Sequence, residues 1–336
     1  MWLTYNGKLV LLRALSRRVT VQSSSQMSTT STMYKRWQYD QFTEDVSAAT
    51  LHESQELPQI LSPNSVLVEV KAASVNPIDV LMARGYGQKI ISLMRFGSNL
   101  TTSDKSYGFP LTLGHDFSGV VVNKGAKVSD LNIGDKVWGV IPIQDTGSHA
   151  THVITHDSHL ARRPTNITDI EAASIPFAAL TAHKAIVLYG GINPNNANVK
   201  NVLVLGGTGG VGTLAVQILK AWGATVTATC SAGQEKWLKD LTGVDRVIDY
   251  KSNELDNLKE EYDMVLDAAP PQDPPIHEDA LASLKKTNTS RYVTLNPPFL
   301  NNFDSKGLVL GGLANLCDAV STTYKGMRNG KILLVM

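Results

Sequence analysis

Cysteine is nearly absent: Cys230 and Cys317 are the only two in 336 residues. They are too few for a disulfide framework or a four-thiolate zinc site. No run of 18 or more apolar residues occurs, so no membrane-spanning helix is expected. Neither charge sign is in excess, because 31 Lys and Arg against 30 Asp and Glu leave a net charge of +1. That balance gives no global basic field for a phosphate backbone, and no nucleic-acid partner is expected. One further scarcity is local. Residues 1–39 contain no Asp or Glu, yet carry Lys8, Arg13, Arg17, Arg18, Lys35 and Arg36, and residues 23–32 are almost entirely Ser and Thr. Read as a helix, Leu9, Leu12 and Leu15 fall on one side while the arginines gather elsewhere, the amphipathic, acid-free character of a mitochondrial presequence. Residues 1–33 are therefore expected to be a targeting or disordered segment outside the fold, and the protein to be mitochondrial.

The remaining chain has the apolar and charged content of a soluble globular protein, 43% and 18%, and a length that suits two domains. From Tyr34, short β-branched runs bounded by turn residues read as strands: Ser65–Val70, Ser118–Val122 and Lys136–Ile141. Residues 86–109 are less patterned and read as a surface loop or short helix. Beyond Pro176 the pattern changes to apolar strands, at Val202–Leu205, Val226–Thr229, Arg246–Ile248, Met264–Leu266 and Tyr292–Leu295, with helical segments between the first few. Such alternation indicates a parallel sheet covered on both faces. The fold class is thus α/β, with a β-rich domain over 34–175 followed by a doubly wound parallel-sheet domain over 176–336.

The sharpest motif is VLVLGGTGGVG at 202–212. Gly207, Gly209 and Gly212 satisfy G-x-G-x-x-G between an apolar strand and a segment whose Leu214, Ile218, Leu219 and Trp222 recur at helical spacing. Glycines there permit a tight turn and close approach of backbone to a pyrophosphate, and the following helix N-terminus offers unpaired N–H groups. Thr213 stands where an ATPase loop would carry Lys. The second strand ends in Thr229, Cys230, Ser231, Ala232 and Gly233, without the acid that grips a ribose 2′-hydroxyl, and Lys236 follows. NADPH is therefore favoured over NADH, the exception being that a helix starting at Glu235 would bring a carboxylate to the ribose. No Tyr-x-x-x-Lys pair and no Gly-x-Ser-x-Gly elbow occurs. His149, His152, His156 and His159 fall close together, but Val153, Ile154 and Thr155 favour a strand and turn on which they would point apart, and no metal is expected.

The motif order resembles the medium-chain dehydrogenase/reductase superfamily, in its zinc-free quinone-reductase branch, over about residues 34–336. The resemblance rests on SVNPIDVLMARGYG (74–87), FPLTLGHDFSGVV (109–121), IGDKVWG (133–139), AASIPFAALTAHKAI (172–186), the glycine loop and VIDY (247–250). Within it, NPIDV, FPLTLG, ALTA, GGVGT, VIDYKS and YVTL are similar to the mitochondrial, reticulon-interacting members. The resemblance implies that the β-rich domain is GroES-like and the second domain a Rossmann domain. Zinc-dependent members hold their metal through an early Cys, a Gly-His-Glu motif and a later Cys, whereas Asn76 stands at the first position here and Gly114, His115 and Asp116 at the second. It therefore also implies that hydride transfer needs no metal and that the acceptor is a quinone or another activated enone, in coenzyme Q metabolism. By the same resemblance, Asn76 and Thr181 flank the nicotinamide, Gly207, Thr208, Gly209, Gly210, Val211 and Gly212 hold the pyrophosphate, and Ser231, Lys236 and Tyr250 surround the adenosine 2′-phosphate. Asn76 and Tyr86 are the substrate-cleft candidates, Leu81 standing where bacterial quinone reductases carry a Tyr, and no side chain is a convincing general acid. A protein partner of the reticulon type and a homodimer belong to the same expectations. The sequence ends at KILLVM, earlier than the strands and helices that usually return the family's chain to the catalytic domain. The rival readings are an enoyl-thioester reductase of the superfamily and an NADPH-binding interaction protein without turnover.

Overall fold

The computed structural model describes residues 33–88, 91, 109–252, 254–270 and 278–295, with the strand segments 2–5, 8–11 and 331–334. It divides into two compact units, Ala14–Phe177 and a second made of Met1–Arg13 with Ala178–Met336.

At the start, β1 (Trp2–Tyr5) and β2 (Lys8–Leu11) pair antiparallel, with Trp2 opposite Leu11 and Tyr5 opposite Lys8. This corrects the helical reading of the segment at Leu9. The two residues between the strands in sequence are Asn6 and Gly7, the pair that most favours a two-residue hairpin connection. Leu12, Leu15, the arginines at 13, 17 and 18 and the Ser/Thr run lie outside the described residues.

In the unit Ala14–Phe177, β3 (Tyr34–Gln38) and β4 (Thr50–Ser54) form an antiparallel pair. Beside it stands a five-stranded antiparallel sheet of β5 (Ser65–Ala73), β6 (Asp116–Lys124), β7 (Lys136–Val140), β8 (His152–His156) and β9 (Leu160–Arg162), in the order β8-β5-β6-β7-β9. Val66, Val68, Phe117, Val121, Val137, Ile141 and Val153 close its core. Helix α1 spans Pro77–Ala83. Helix α2 (Asp169–Ala173) lies against β5 and β6. It begins at a capping box in which Glu171 N–H donates to Thr168 Oγ1 at 3.2 Å and Thr168 N–H to Glu171 Oε2 at 2.8 Å.

Helix α3 spans Pro176–Lys184 and continues as a π-helical turn, Ala185–Tyr189. By length and composition the 21-residue stretch Asp169–Tyr189 is apolar enough to cross a membrane, although the sequence holds no unbroken apolar run of that length; half of its most apolar 18 residues are buried inside the protein.

The second unit contains β10 (Asn201–Leu205), α4 (Gly210–Ala221), β11 (Thr225–Cys230), α5 (Glu235–Thr242), β12 (Arg246–Asp249), β13 (Met264–Asp267), α6 (Glu278–Ala282), β14 (Arg291–Thr294) and β15 (Lys331–Leu334). The six strands are all parallel, in the order β12-β11-β10-β13-β14-β15. Order reverses at β10, whose neighbours β11 and β13 lead to opposite halves of the sheet; this is the doubly wound Rossmann arrangement. Val202–Leu205 and Met264–Leu266 are buried throughout, which is why these strands read as unbroken apolar runs rather than alternations. The buried Asp267 carboxylate ties two strands together, accepting from Tyr292 Oη at 3.1 Å and Thr294 Oγ1 at 3.2 Å.

Phe117 is fully buried at the centre of the antiparallel core. Phe117→Ala is expected to lower the free energy of unfolding by about 3–5 kcal/mol, measured by urea denaturation; a loss under about 1 kcal/mol would show that the core is not packed around this ring.

Candidate functional site

The glycine loop leaves the carboxyl end of β10 at the point where strand order reverses. Gly206 turns the chain with φ +74°, a left-handed conformation that glycine adopts without strain. Gly206 N–H donates to Thr229 Oγ1 at 3.0 Å and Gly207 N–H to the Thr229 carbonyl at 2.8 Å, so the loop is stitched to the end of β11. Thr213 Oγ1, buried in the first turn of α4, faces both the Gly207 and Gly209 carbonyls, at 3.0 and 2.7 Å.

The glycines divide by what a methyl group would meet. At Gly212 it would lie 2.2 Å from the Gly206 carbonyl oxygen, and at Gly207 it would lie 2.8 Å from Ala228 Cβ. These two are required by close packing of loop, helix and sheet. Gly209 and Gly210 are exposed; a methyl at Gly210 would meet only Ala178 Cβ at 3.9 Å, and one at Gly209 the Gly206 oxygen at 3.3 Å. Gly209 is the N-cap of α4 and supplies no side-chain hydrogen bond, which leaves the N–H groups of the first turn facing open space with the positive end of the helix dipole. A cradle of this kind, open above and closed below, fits an anionic pyrophosphate. Thr181 lies half-buried on α3, three residues from Ala178 and so on the same helix face as the side chain nearest Gly210.

Past the end of β11, Ser231 is half-buried and Gly233 turns the chain with φ +83°. Helix α5 does start at Glu235, the start that would bring a carboxylate towards the ribose, and Glu235 Oε1 accepts from Gly233 N–H at 3.1 Å. Lys236 is highly exposed and pairs with Asp240 at 3.0 Å along the helix. Tyr250, half exposed, donates its backbone N–H to the Cys230 carbonyl at 3.1 Å, which sets residues 250 and 251 beside Ser231.

The unit Ala14–Phe177 carries a separate buried polar web. Asn76 is the N-cap of α1, with Pro77 in the first helical position, and its backbone N–H donates to Asp79 Oδ2 at 2.7 Å. Its Nδ2 donates to Asp116 Oδ2 at 2.8 Å and to Ser74 Oγ at 3.2 Å. Asp116 also accepts from Ser74 Oγ at 2.6 Å and from Phe177 N–H at 2.6 Å. Gly114 N–H donates to Asp79 Oδ1 at 2.8 Å. The His115 ring stacks on Phe177, with Nδ1 at 3.1 Å from the Ile141 carbonyl and Nε2 at 3.3 Å from Met82 Sδ and 3.6 Å from Asp79 Oδ1. A ring nitrogen facing a carbonyl carries the proton, so Nδ1–H donates. Burial holds the His115 pKa below the ordinary 6.5 against the opposing pull of Asp79, and burial raises that of Asp116 above 3.8 against its hydrogen-bond donors. Tyr86 lies in the turn after α1, its N–H donating to the Leu81 carbonyl at 2.9 Å.

The loop glycines are legible in the sequence, whereas the bonds that Ser74 and Asp79 make are not. Asn-Pro-x-Asp is itself a legible helix-start signal, an N-cap with Pro at the first position and an acid at the third. Among the described residues no group of three or more His, Cys, Asp or Glu could hold a metal ion. His152 and His156 lie on β8 and His159 in the 3-10 turn after it, while Cys317 lies outside the described residues.

Residues 62–165 match the alcohol dehydrogenase GroES-like domain, and residues 210–314 match the zinc-binding dehydrogenase family. The chain belongs to the medium-chain dehydrogenase/reductase superfamily. Among other members of this oxidoreductase superfamily, it is 41% identical over 278 residues to the Danio rerio protein named NAD(P)H oxidoreductase RTN4IP1, mitochondrial, covering 82% of this chain and 70% of that one. It is 34% identical over 260 residues to the Caenorhabditis elegans Reticulon-4-interacting protein 1, mitochondrial, covering 76% and 69%. A solved superfamily structure, the quinone oxidoreductase from Coxiella burnetii, superposes with a TM-score of 0.66 at 28% identity, covering 90% of this chain and 83% of that one.

Two outcomes test this geometry. His115, His152 and His159 all have pKa values lowered by burial, so the unfolded state binds more protons than the folded state as pH falls below 6.5, and stability falls with it. Urea denaturation at pH about 7 and about 5.5 should show lower stability at the lower pH, and His115→Gln should narrow the difference; an unchanged difference would remove His115 as a contributor. The glycines should also separate. Gly212→Val should lower the melting temperature sharply, whereas Gly209→Val should keep the fold and lose dinucleotide affinity by about tenfold or more; retained affinity in folded Gly209→Val would show the loop to be only a turn.

Proposed function

We propose that this chain is a mitochondrial, zinc-independent oxidoreductase that uses NADPH to reduce a quinone or another activated enone. The observation that carries the reading is the α4 N-terminus: uncapped by any side chain, faced by exposed Gly209 and Gly210, and placed at the strand-order switch. Bound there, NADPH would supply a hydride. The chain's own residues have other tasks. Backbone N–H groups from Gly210 to Gly212 hold the pyrophosphate, with Gly207, Thr208 and Gly209 shaping the turn, where Gly209 N–H donates to the Gly206 carbonyl at 3.0 Å, and Ser231 and Tyr250 line the approach to the adenosine ribose. Asn76 and Thr181 are assigned to the nicotinamide end by family resemblance, and Tyr86 to the acceptor. With no general acid among these side chains, solvent delivers the proton.

The residues at the superfamily's zinc positions do not suit that metal. Asn76 is a poor zinc ligand and spends its amide hydrogens on Asp116 and Ser74, while His115 turns one nitrogen to a carbonyl and the other to a thioether and a carboxylate. Without a Lewis acid the acceptor must be electrophilic already, which favours quinones and enones over simple ketones. An enoyl thioester fits less well, because Leu81 replaces the Tyr expected of such an enzyme. The mitochondrial assignment is supported by the acid-free start and by the names of the relatives; a reticulon-type partner is supported by the name of the nematode protein. A homodimer and a role in coenzyme Q metabolism belong to the same proposal.

Steady-state NADPH oxidation across a panel of quinones, enones and enoyl thioesters tests the reading. Turnover with quinones, undiminished by chelators, is expected; NADPH binding without turnover on any acceptor would favour an interaction protein, and activity lost on chelation would overturn the metal-free assignment.

A further inference from the structure

A buried carboxylate stands at the carboxyl end of the parallel sheet, outside the hydrogen bonds of the glycine loop. Asp267 is the last residue of β13 and pairs with Leu205, the last residue of β10; 1% of its surface is exposed. By strand order β13 is the first strand on the side of the switch away from β11 and β12. A dinucleotide on a doubly wound sheet spans the switch, one mononucleotide half to each side. The adenosine half belongs to the side of the second strand, here β11, so the other half falls to β13 and to the turn that leaves it.

That turn rises to the surface, with Ala268 and Ala269 half-buried and Pro270 exposed. A methyl group at Gly206 would stand 2.8 Å from the Ala268 carbonyl oxygen and 2.9 Å from Ala269 Cα, so the turn passes directly beside the residue at which the glycine loop begins. Asp267 Oδ2 accepts from Tyr292 Oη at 3.1 Å and from Thr294 Oγ1 at 3.2 Å, both almost completely buried on β14. Those two bonds aim Oδ1 at Ala269 N–H, 3.2 Å away, which closes an Asx turn. Ala268 N–H donates to the Leu205 carbonyl at 3.2 Å. The turn is thus held by β10 on one side and by a single carboxylate, itself oriented from β14, on the other. The glycine loop has its own supports in Thr229 and Thr213. A buried leucine would fill this strand end at less desolvation cost; what it could not supply is an acceptor for the turn.

We propose that Asp267 is a positioning residue for the nicotinamide half of the cofactor: it touches no ligand, and it fixes the Ala268–Ala269 turn as the wall on which that half rests. The proposal rests on the NADPH reading above and deepens it. Its consequence is a division of labour, in which the glycine loop governs the phosphates and Asp267, through the turn, governs only what lies beyond them.

Calorimetric titration of the full chain with NADPH and with 2′,5′-ADP, which carries the adenosine half alone, tests this without turnover. Asp267→Ala should weaken NADPH by about tenfold or more and leave 2′,5′-ADP unchanged. Asp267→Asn should recover most of the loss, since its amide oxygen can take the Ala269 N–H while its NH2 group donates to the hydroxyl oxygens of Tyr292 and Thr294. Tyr292→Phe removes one of the two donors that aim the carboxylate, and should weaken NADPH alone by about threefold even if Asp267→Ala does not fold. Equal weakening of both ligands would overturn the proposal, because it reports damage to the whole site. Unchanged NADPH affinity in folded Asp267→Ala, or in Tyr292→Phe, would overturn it as well. A wild-type chain that binds neither ligand would overturn the NADPH reading and this assignment with it.

Discussion

At Gly212 the first turn of α4 passes so close to the Gly206 carbonyl that even a methyl group would stand 2.2 Å from its oxygen. Most of the second unit's design depends on that contact. It draws the helix start down on to the central strand, lets Thr213 bond two loop carbonyls, and leaves the first-turn N–H groups with nothing beneath them to bind. The same loop is stitched to β11 through Thr229, so the loop and the end of β11 are positioned together by one piece of backbone.

The β-rich unit solves a different problem. Three carboxylate and imidazole groups, Asp79, His115 and Asp116, are almost completely buried, and burial of such groups is tolerated only with partners. Asn76 and Ser74 are those partners for Asp116, and the N-terminus of α1 supplies another for Asp79. These hydrogen bonds close the corner within the protein and hold Asn76 by its amide hydrogens.

How much of the fold and of the site is legible in the sequence depends on the range over which each signal acts. Val202–Leu205 announces a strand because both its faces are buried, and Gly207, Gly209 and Gly212 announce the loop because the turn, the cradle and the packing contact all lie within six residues. Signals at longer range are lost. The Asn76–Asp116 bond joins residues forty apart, and the bond from Tyr250 N–H to the Cys230 carbonyl joins residues of two different strands. At the start, leucine spacing suggests a helix where Asn6-Gly7 sits between two paired strands, a case of a local turn preference outweighing an apolar pattern.

Strand order also has a consequence for how the protein is made. β10 leaves the ribosome first among the strands of the parallel sheet and β11 and β12 come after it on one side, while β13, its other neighbour, begins only at Met264. Until then one edge of β10, carrying Val202, Leu203 and Val204, has no strand to pair with. Unpaired apolar edges of this kind attract other chains. The nascent half-sheet is thus a stage at which the edge of β10 lies open to other chains, and at which a chaperone would act.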